Sequence, residues 1–321
     1  MLHVRVVSPA ETTAAVLEQI EDDPTIANLV VLRDVAHGRN ADLLMFDLAR
    51  ENANPVLEML RAHGLERDGS IAFEEQDTVL SDAAYAAEKA APGRPEDGVI
   101  WDAIEAKAFD DAEISWSFVA FLTLATLIAG TGRYLDQPIL IVGAMVVGPE
   151  FAPVSAICYA LSRRRWRFVP PAFRTLVGGF AIATAFSFLV WGIAYLLGWI
   201  DSHQAATGSQ TQFIIQPDVW SLVVALLAGI AGVLSLTASK SSTLVGVFIS
   251  VTTVPAAGAT ALTLAVGVPD EALHSLAQLG INLVGLISAG TLTLVIQRHI
   301  WDRVFRRDHP SSRPNRRSVS S

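Results

Sequence analysis

The pattern of apolar and polar positions changes character near residue 113. Before it, apolar residues come in short runs; after it, they fill long windows. "LHVRVV" (residues 2–7) alternates as a half-buried strand does. Ser8-Pro9-Ala10-Glu11 then reads as a helix start, with an N-cap serine, a proline at the first helical position and a capping-box glutamate, and the helix is predicted to run to about Asp22. "TIANLVVLRD" and "ADLLMFDLA" are strand-like runs split by a turn containing Gly38. Asn54-Pro55 opens a second helix that Gly64 closes, and "SIAFEEQD" is a last strand. The order βαββαβ is that of a small α+β, ferredoxin-like domain, expected over residues 1–80. Residues 81–98, rich in Ala, Pro, Gly and Glu, read as a linker. "VIWDAIEAKAFDDAEI" reads as an amphipathic helix along the membrane surface, so that 81–113 forms the connection.

The apolar windows lie near 114–132, 138–161, 172–198, 219–238, 242–267 and 273–297. Each is close to the roughly 20 residues that cross a bilayer core. They predict a membrane all-α domain of six transmembrane helices over 114–297, followed by a basic tail at 298–321 expected to be disordered toward its end. An even number of spans places both termini on one side. The loops joining spans on that side, with the tail, carry 13 Lys and Arg; the opposite loops carry only Arg133. Basic residues stay cytoplasmic, so both termini are expected in the cytoplasm.

Composition agrees: 51% hydrophobic and 17% charged residues, with a mean hydropathy of +0.41, is too apolar for a soluble chain of 321 residues. Charge is also divided. Residues 1–113 hold 24 acidic and 9 basic residues, the remainder 8 and 14, which separates an acidic head from a mildly basic membrane body. No signal peptide is expected ahead of the head, since the first residues already read as strand and helix. The single Cys158 excludes an intrachain disulfide and a cysteine metal site. The head carries no Walker loop, no dinucleotide fingerprint and no paired His/Cys spacing. It therefore reads either as an oligomerising module or as a sensor of a small-molecule ligand; no cofactor and no nucleic acid are implied.

One stretch of the body does not fit a plain span. "GAMVVGPEFAPVSA", Gly143 to Ala156, carries two prolines and a glutamate midway along an apolar window. With spans one to three running opposite to spans four to six, the body divides as a 3+3 inverted repeat. The second span, at Pro149, then lies beside the fifth, at Pro255. Proline removes a backbone donor and frees a carbonyl, which hydrocarbon tolerates only where protein, water or ligand satisfies the freed groups. Paired interruptions in inverted halves point to a substrate site near the midplane. Prolines also kink helices for packing alone. Glu150 sharpens the case, because a carboxylate at that depth faces a bundle interior, a cavity or a partner. No basic residue falls at the same depth, so Glu150 is a candidate proton or cation binder. The candidate site comprises Glu150, Pro149, Gly148, Pro153, Thr252, Thr253, Pro255 and Asn282, with Ser288 a further polar group at plausible depth. Small residues at helix-packing spacing, Ala156/Ala160, Ala225/Gly229 and Ala228/Gly232, imply close helix contacts within or between subunits. A homo-oligomer is expected.

Four stretches, "LIAGTGRYLDQPILIVGAMVVGPEFAPVSAICYAL", "ALLAGIAGVLSL", "TLVGVFISVTTVPAAGATALTLAVG" and "LGINLVGLI", resemble in order the prokaryotic membrane family called domain of unknown function 389. The resemblance covers roughly residues 100–297. It implies a multi-span protein of the prokaryotic cytoplasmic membrane, sometimes described as a transporter, and carries over no catalytic residues. The chain departs from the family pattern at Gly148-Pro149, at Glu150, where a hydrophobic residue is usual, and at Pro255-Ala256. Two functions are weighed: a secondary transporter or channel with its site at the broken second and fifth helices, and a non-transporting membrane sensor or scaffold whose head binds a ligand or partner. An enzyme is not expected, since HExxH, GxSxG and a second carboxylate at depth are all absent.

Overall fold

The structure, a computed structural model, describes residues 1–37, 40–76, 78–91, 93, 98–110, 113–208, 210–212, 218–237 and 252–308, without the side chains of Lys107, Ala206 and 301–308. The turn at Gly38 and the first part of the fifth predicted span lie outside the described residues. The chain forms two compact units, one built on Met1–Asp102 and one on Ala103–Trp301.

The first unit is built on a four-stranded antiparallel sheet. Strand β1 (Leu2–Pro9) lies between β3 (Ala41–Leu48) and β4 (Ser70–Glu75), and β2 (Ile26–Leu32) closes the order β2-β3-β1-β4. The alternation of β1 is realised: Leu2, Val4 and Val6 are buried with Val16 and Ile20 of α1 (Ala10–Ile20) and Val56 and Leu60 of α2 (Ala53–Ala62). Gly64 closes α2 in the left-handed conformation, φ 76°, that a helix C-terminus asks of glycine. A short helix, α3 (Leu65–Asp68), follows before β4. Two expectations are corrected. The capping box at Ser8 does not form, because the β1–β3 ladder runs on to the Pro9–Ala41 pair and keeps Ser8 extended opposite Asp42. Pro9 is the N-cap of α1, with no side-chain cap, and the Ser8 hydroxyl donates to the Pro9 carbonyl instead. The linker also contains structure. Helix α4 (Asp82–Ala90) is capped by Ser81, whose Oγ accepts from the Ala84 amide, and it packs Ala84 and Ala87 near β2 and β3. Its alanines, which read as linker composition, are what lets a short helix lie close to a sheet.

The second unit is helical. After α5 (Trp101–Asp110) come α6 (Trp116–Tyr134), α7 (Pro138–Val147), α8 (Phe151–Ser162), α9 (Val169–Leu196), the short α10 (Ser202–Ala206), α11 (Val219–Thr237), α12 (Thr253–Ala265) and α13 (Pro269–Asp308). Four stretches, in α6, α9, α11 and α13, are long and apolar enough to cross a membrane. The pair α7 and α8, bent by 57°, makes a fifth if it is one broken span. These apolar helices mark a membrane protein. Helix α12, at 13 residues, is about 20 Å long, too short to cross on its own.

Helix α12 is enclosed. Every residue from Thr253 to Thr263 is buried, as expected of a helix apolar on all sides, and α6 and α9 pack on it. Gly258 permits this: a Cβ there would sit 2.6 Å from the Thr126 carbonyl and 2.7 Å from Ala129 Cβ. Helices α11 and α13 meet in the same manner. Gly229 faces Leu286 and Ala289, and Gly285 faces Ala225, so the Ala225/Gly229 pair makes its contact within one chain. Behind the α8–α9 turn, Glu105 accepts from the Tyr159 hydroxyl at 2.8 Å and pairs with Arg165, while Phe109 stacks on Phe168.

Candidate functional site

Two helices begin at one place in the interior. Helix α7 ends at Gly148, whose extended backbone (φ −66°, ψ 128°) stops it, and Glu150 is the N-cap of α8. Thr252 is the N-cap of α12. In each helix a proline stands three residues after the N-cap, Pro153 after Glu150 and Pro255 after Thr252. In a first turn the missing N–H removes only a donor that had no intrahelical partner. Pro255 thus sits inside a helix start and does not break α12, and by position its counterpart is Pro153. Pro149, expected to lie beside Pro255, stands four residues before Pro153. Pro149 itself lies in the break of the bent pair.

The two starts are joined by a side-chain hydrogen bond. Thr253 Oγ1 donates to Glu150 Oε1 at 2.7 Å, in a buried setting where Glu150 is 6% exposed. The other carboxylate oxygen, Oε2, has no hydrogen-bond partner among the described residues. Gly148 makes room for it: a Cβ on Gly148 would meet Glu150 Oε2 at 2.3 Å and Val254 Cγ2 at 2.7 Å. The glycine thus leaves space for the carboxylate to fold back over its own helix break. Thr252 extends the set, its Oγ1 accepting from Asn282 Nδ2 at 2.8 Å and, more weakly, from Gln278 Nε2 at 3.5 Å.

Helix α13 thereby brings in residues that the sequence reading passed over. Glu271, Ser275, Gln278 and Asn282 are spaced four, three and four apart, which places them within roughly 60° of one helix face. Ser275, Gln278 and Asn282 are buried, while Leu273 and Leu276 between them are exposed on the outer side. A polar stripe at heptad spacing in an otherwise apolar window was the available signal, and only Asn282 was picked from it. At the far end stands Arg133, in the last turn of α6 and 1% exposed, although the sequence reading counted it as a loop cation. Its Nη1 donates to Thr211 Oγ1 at 2.9 Å and to the Gly208 carbonyl at 3.3 Å, and its Nη2 lies 3.6 Å from Glu271 Oε2. Asp136 holds the same loop, accepting from the Thr211 amide at 3.0 Å and the Gln210 amide at 3.1 Å. Desolvation raises the Asp136 pKa, but the Gln210 and Thr211 hydrogen bonds and the Arg133 charge outweigh it and hold the carboxyl below its ordinary value.

Of the eight candidates, Glu150, Gly148, Thr252, Thr253 and Asn282 meet in one connected cluster. Pro149, Pro153 and Pro255 shape the backbone around it. Ser288 is exposed and faces away. Among the described residues no group of three or more His, Cys, Asp or Glu is arranged to hold a metal ion.

A family model described as a domain of unknown function (DUF389) matches residues 145–288, which contain the break at Glu150, all of α12 and the polar face of α13 as far as Asn282. The resemblance read from the sequence stands over that segment. An uncharacterized protein of Methanocaldococcus jannaschii is 27% identical over 179 residues, covering 56% of this chain and 53% of that protein. The chain spans about half the length of the curated relative it matches. No solved structure matches.

Proposed function

From a membrane body whose residues 145–288 match domain of unknown function 389, we propose a secondary transporter or channel for an ion or small solute, with Glu150 at its site. One observation carries this reading: a carboxylate oxygen, buried and without a hydrogen-bond partner among the described residues, lies where two helices start inside an apolar body. A protein keeps such a group at depth for what it binds. Half-helix starts meeting near the middle of a bundle are the arrangement used by transporters with interrupted helices.

On this reading the body has six spans in a 3+3 inverted repeat, α7 with α8 forming the second and α12 completing the fifth. The shared placement of Pro153 and Pro255 supports the repeat. Both termini lie in the cytoplasm of a prokaryotic cell, on the basic side of the loops. The head is ferredoxin-like, which its β-α-β-β-α-β order and β2-β3-β1-β4 sheet support, and it regulates or oligomerises the body. The working unit is a homo-oligomer in the bilayer, passive or ion-coupled and not an enzyme.

Proteoliposomes given an osmotic step of ions, amino acids, sugars or organic acids, followed by light scattering, test the reading. Faster equilibration than protein-free vesicles for at least one solute supports it. Vesicles indistinguishable from protein-free ones for every solute would leave the sensor or scaffold reading in its place.

A further inference from the structure

Next to the Thr253–Glu150 hydrogen bond, the adjoining residue Thr252 accepts from Asn282 and Gln278 on the polar face of α13, and that face runs past Ser275 to Glu271 and the buried Arg133. Glu271 and Asn282 are about 16 Å apart along the helix axis, half of a bilayer core. Along this line Gln278 Oε1, Ser275 Oγ and Glu150 Oε2 are buried and have no hydrogen-bond partner among the described residues, and Glu271 Oε2 has only Arg133 at 3.6 Å. Leaving a buried polar atom unpaired is unfavourable, so a row of them asks for an occupant. The atoms of Gln278, Ser275 and Glu150 in this row are oxygens, and what satisfies an oxygen is a donor: water, or water carrying a proton.

We propose that this face of α13 is a hydrated path by which protons reach Glu150, closed at one end by the Arg133–Glu271 pair; it rests on the reading of Glu150 as the site. Four features carry it. The side chains between the ends, Ser275, Gln278, Asn282 and Thr252, are neutral groups that both donate and accept, which suits relay along water and offers no cage for a dehydrated metal ion. The face ends at Thr252, whose neighbour Thr253 hydrogen-bonds the Glu150 carboxylate, and the other oxygen of that carboxylate has no hydrogen-bond partner among the described residues. The groups facing Glu150 are Thr253 and Val254 of α12 and Gly148 of its own break, none of them titratable, and no charged group among the described residues acts on it. At the other end Arg133 is bound to Gly208 and Thr211 as well as to Glu271, so the pair is anchored on both sides. A proton delivered to Oε2 neutralises Glu150 and leaves again as a proton, with no other group transferred.

The path is tested by thiol accessibility in full-length protein reconstituted in vesicles, with the wild-type chain, whose Cys158 is buried, as background. Ser275→Cys and Gln278→Cys are exposed to a small membrane-impermeant cationic methanethiosulfonate, beside Leu276→Cys on the outer face. The path predicts labelling at 275 and 278 but not at 276, with labelling at 275 accelerated several-fold when Arg133→Gln is added. No labelling at 275 and 278 in either background, or equal labelling at all three positions, overturns the path. The proton assignment is read from an internal pH dye under an imposed potential. Gln278→Leu should reduce proton entry to the level of protein-free vesicles, and wild-type entry at that level, or entry unaltered by Gln278→Leu, overturns it. Labelling does not depend on flux. Failure of the path with solute flux intact therefore leaves the transport reading standing, and labelling without any solute flux removes that reading alone.

Discussion

Gly148→Ala is the smallest change that reaches the centre of the site. The added methyl would lie 2.3 Å from Glu150 Oε2 and 2.7 Å from Val254 Cγ2, both far inside contact distance. Overpacking of this kind costs about 1–3 kcal/mol. If the carboxylate moves to relieve it, the Thr253 hydrogen bond stretches, and a bond to a charged acceptor contributes about 1.5–3 kcal/mol. Allowing for partial relaxation, the loss should be about 2–4 kcal/mol. At roughly 2–4 °C per kcal/mol for a body of this size, the midpoint of heat-induced loss of the monodisperse peak in mild detergent should fall by about 5–15 °C. Gly143→Ala is the control: nothing lies within 4 Å of its Cβ position, and alanine favours a helix interior over glycine by about 1 kcal/mol, so the midpoint should hold or rise. Because the closest clash is with Glu150 itself, Glu150→Ala should remove part of the Gly148→Ala effect. A Gly148→Ala midpoint equal to that of Gly143→Ala, or strict additivity of the two substitutions, would refute the folded-back carboxylate.

In the head, burial pushes the Glu51 carboxyl up and Glu88 adds to this, with partial relief from its own backbone amide, the N-terminal ammonium and Arg50, while neither carboxylate oxygen has a well-formed hydrogen bond. A raised folded-state pKa means that stability is complete below the unfolded value of 4.5 and declines as pH rises through the folded value. Glu51→Gln should accordingly strengthen amide exchange protection of β1 and β3 by about 1–2 kcal/mol at pH 7 and have little effect at pH 4, and equal effects at both pH values would contradict this. Asp136 has the opposite sign. Its contribution to holding Gln210 and Thr211 should be present above pH 4 and lost as pH falls through its depressed value, seen as faster exchange of the Thr211 amide only in strong acid and at every pH in Asp136→Asn. For the orientation, Gln204→Cys should label from outside intact cells and Arg167→Cys should not; the reverse pattern would invert the assignment.

Much of the head could be read directly, since alternation in β1 and the Gly64 stop are local and the structure keeps both. What failed there was competition between two local signals. Ser8 and Pro9 fit a helix start and an extended strand equally, and the β3 partner, distant in sequence, decided for the strand. Alanine-rich α4 was read as linker because alanine suits both a short helix and an unstructured connection. In the membrane body, Glu150 stood out because a carboxylate in an apolar window has few benign explanations, and Thr252, Thr253 and Asn282 followed from depth. The pairing of helix starts did not follow from prolines alone, as only the N-cap positions show that Pro153 and Pro255 occupy the same turn. Arg133 was missed for a physical reason: its burial comes from a loop some seventy-five residues away in the chain, and no window around Arg133 contains Thr211 or Glu271.

The central claim is that Glu150 works as a protonatable group on the transport path and not as a packing residue. It is tested most directly by proteoliposome flux measured across a pH series for the wild type and Glu150→Gln, using the solute that passes the osmotic screen or, failing one, protons. The substitution keeps the shape of the side chain and an acceptor for Thr253 while removing the charge. The account predicts a wild-type rate that changes with pH and a Glu150→Gln rate that does not, with the variant folded and of unchanged size in detergent. A Glu150→Gln profile that follows the wild type over the whole series would contradict it.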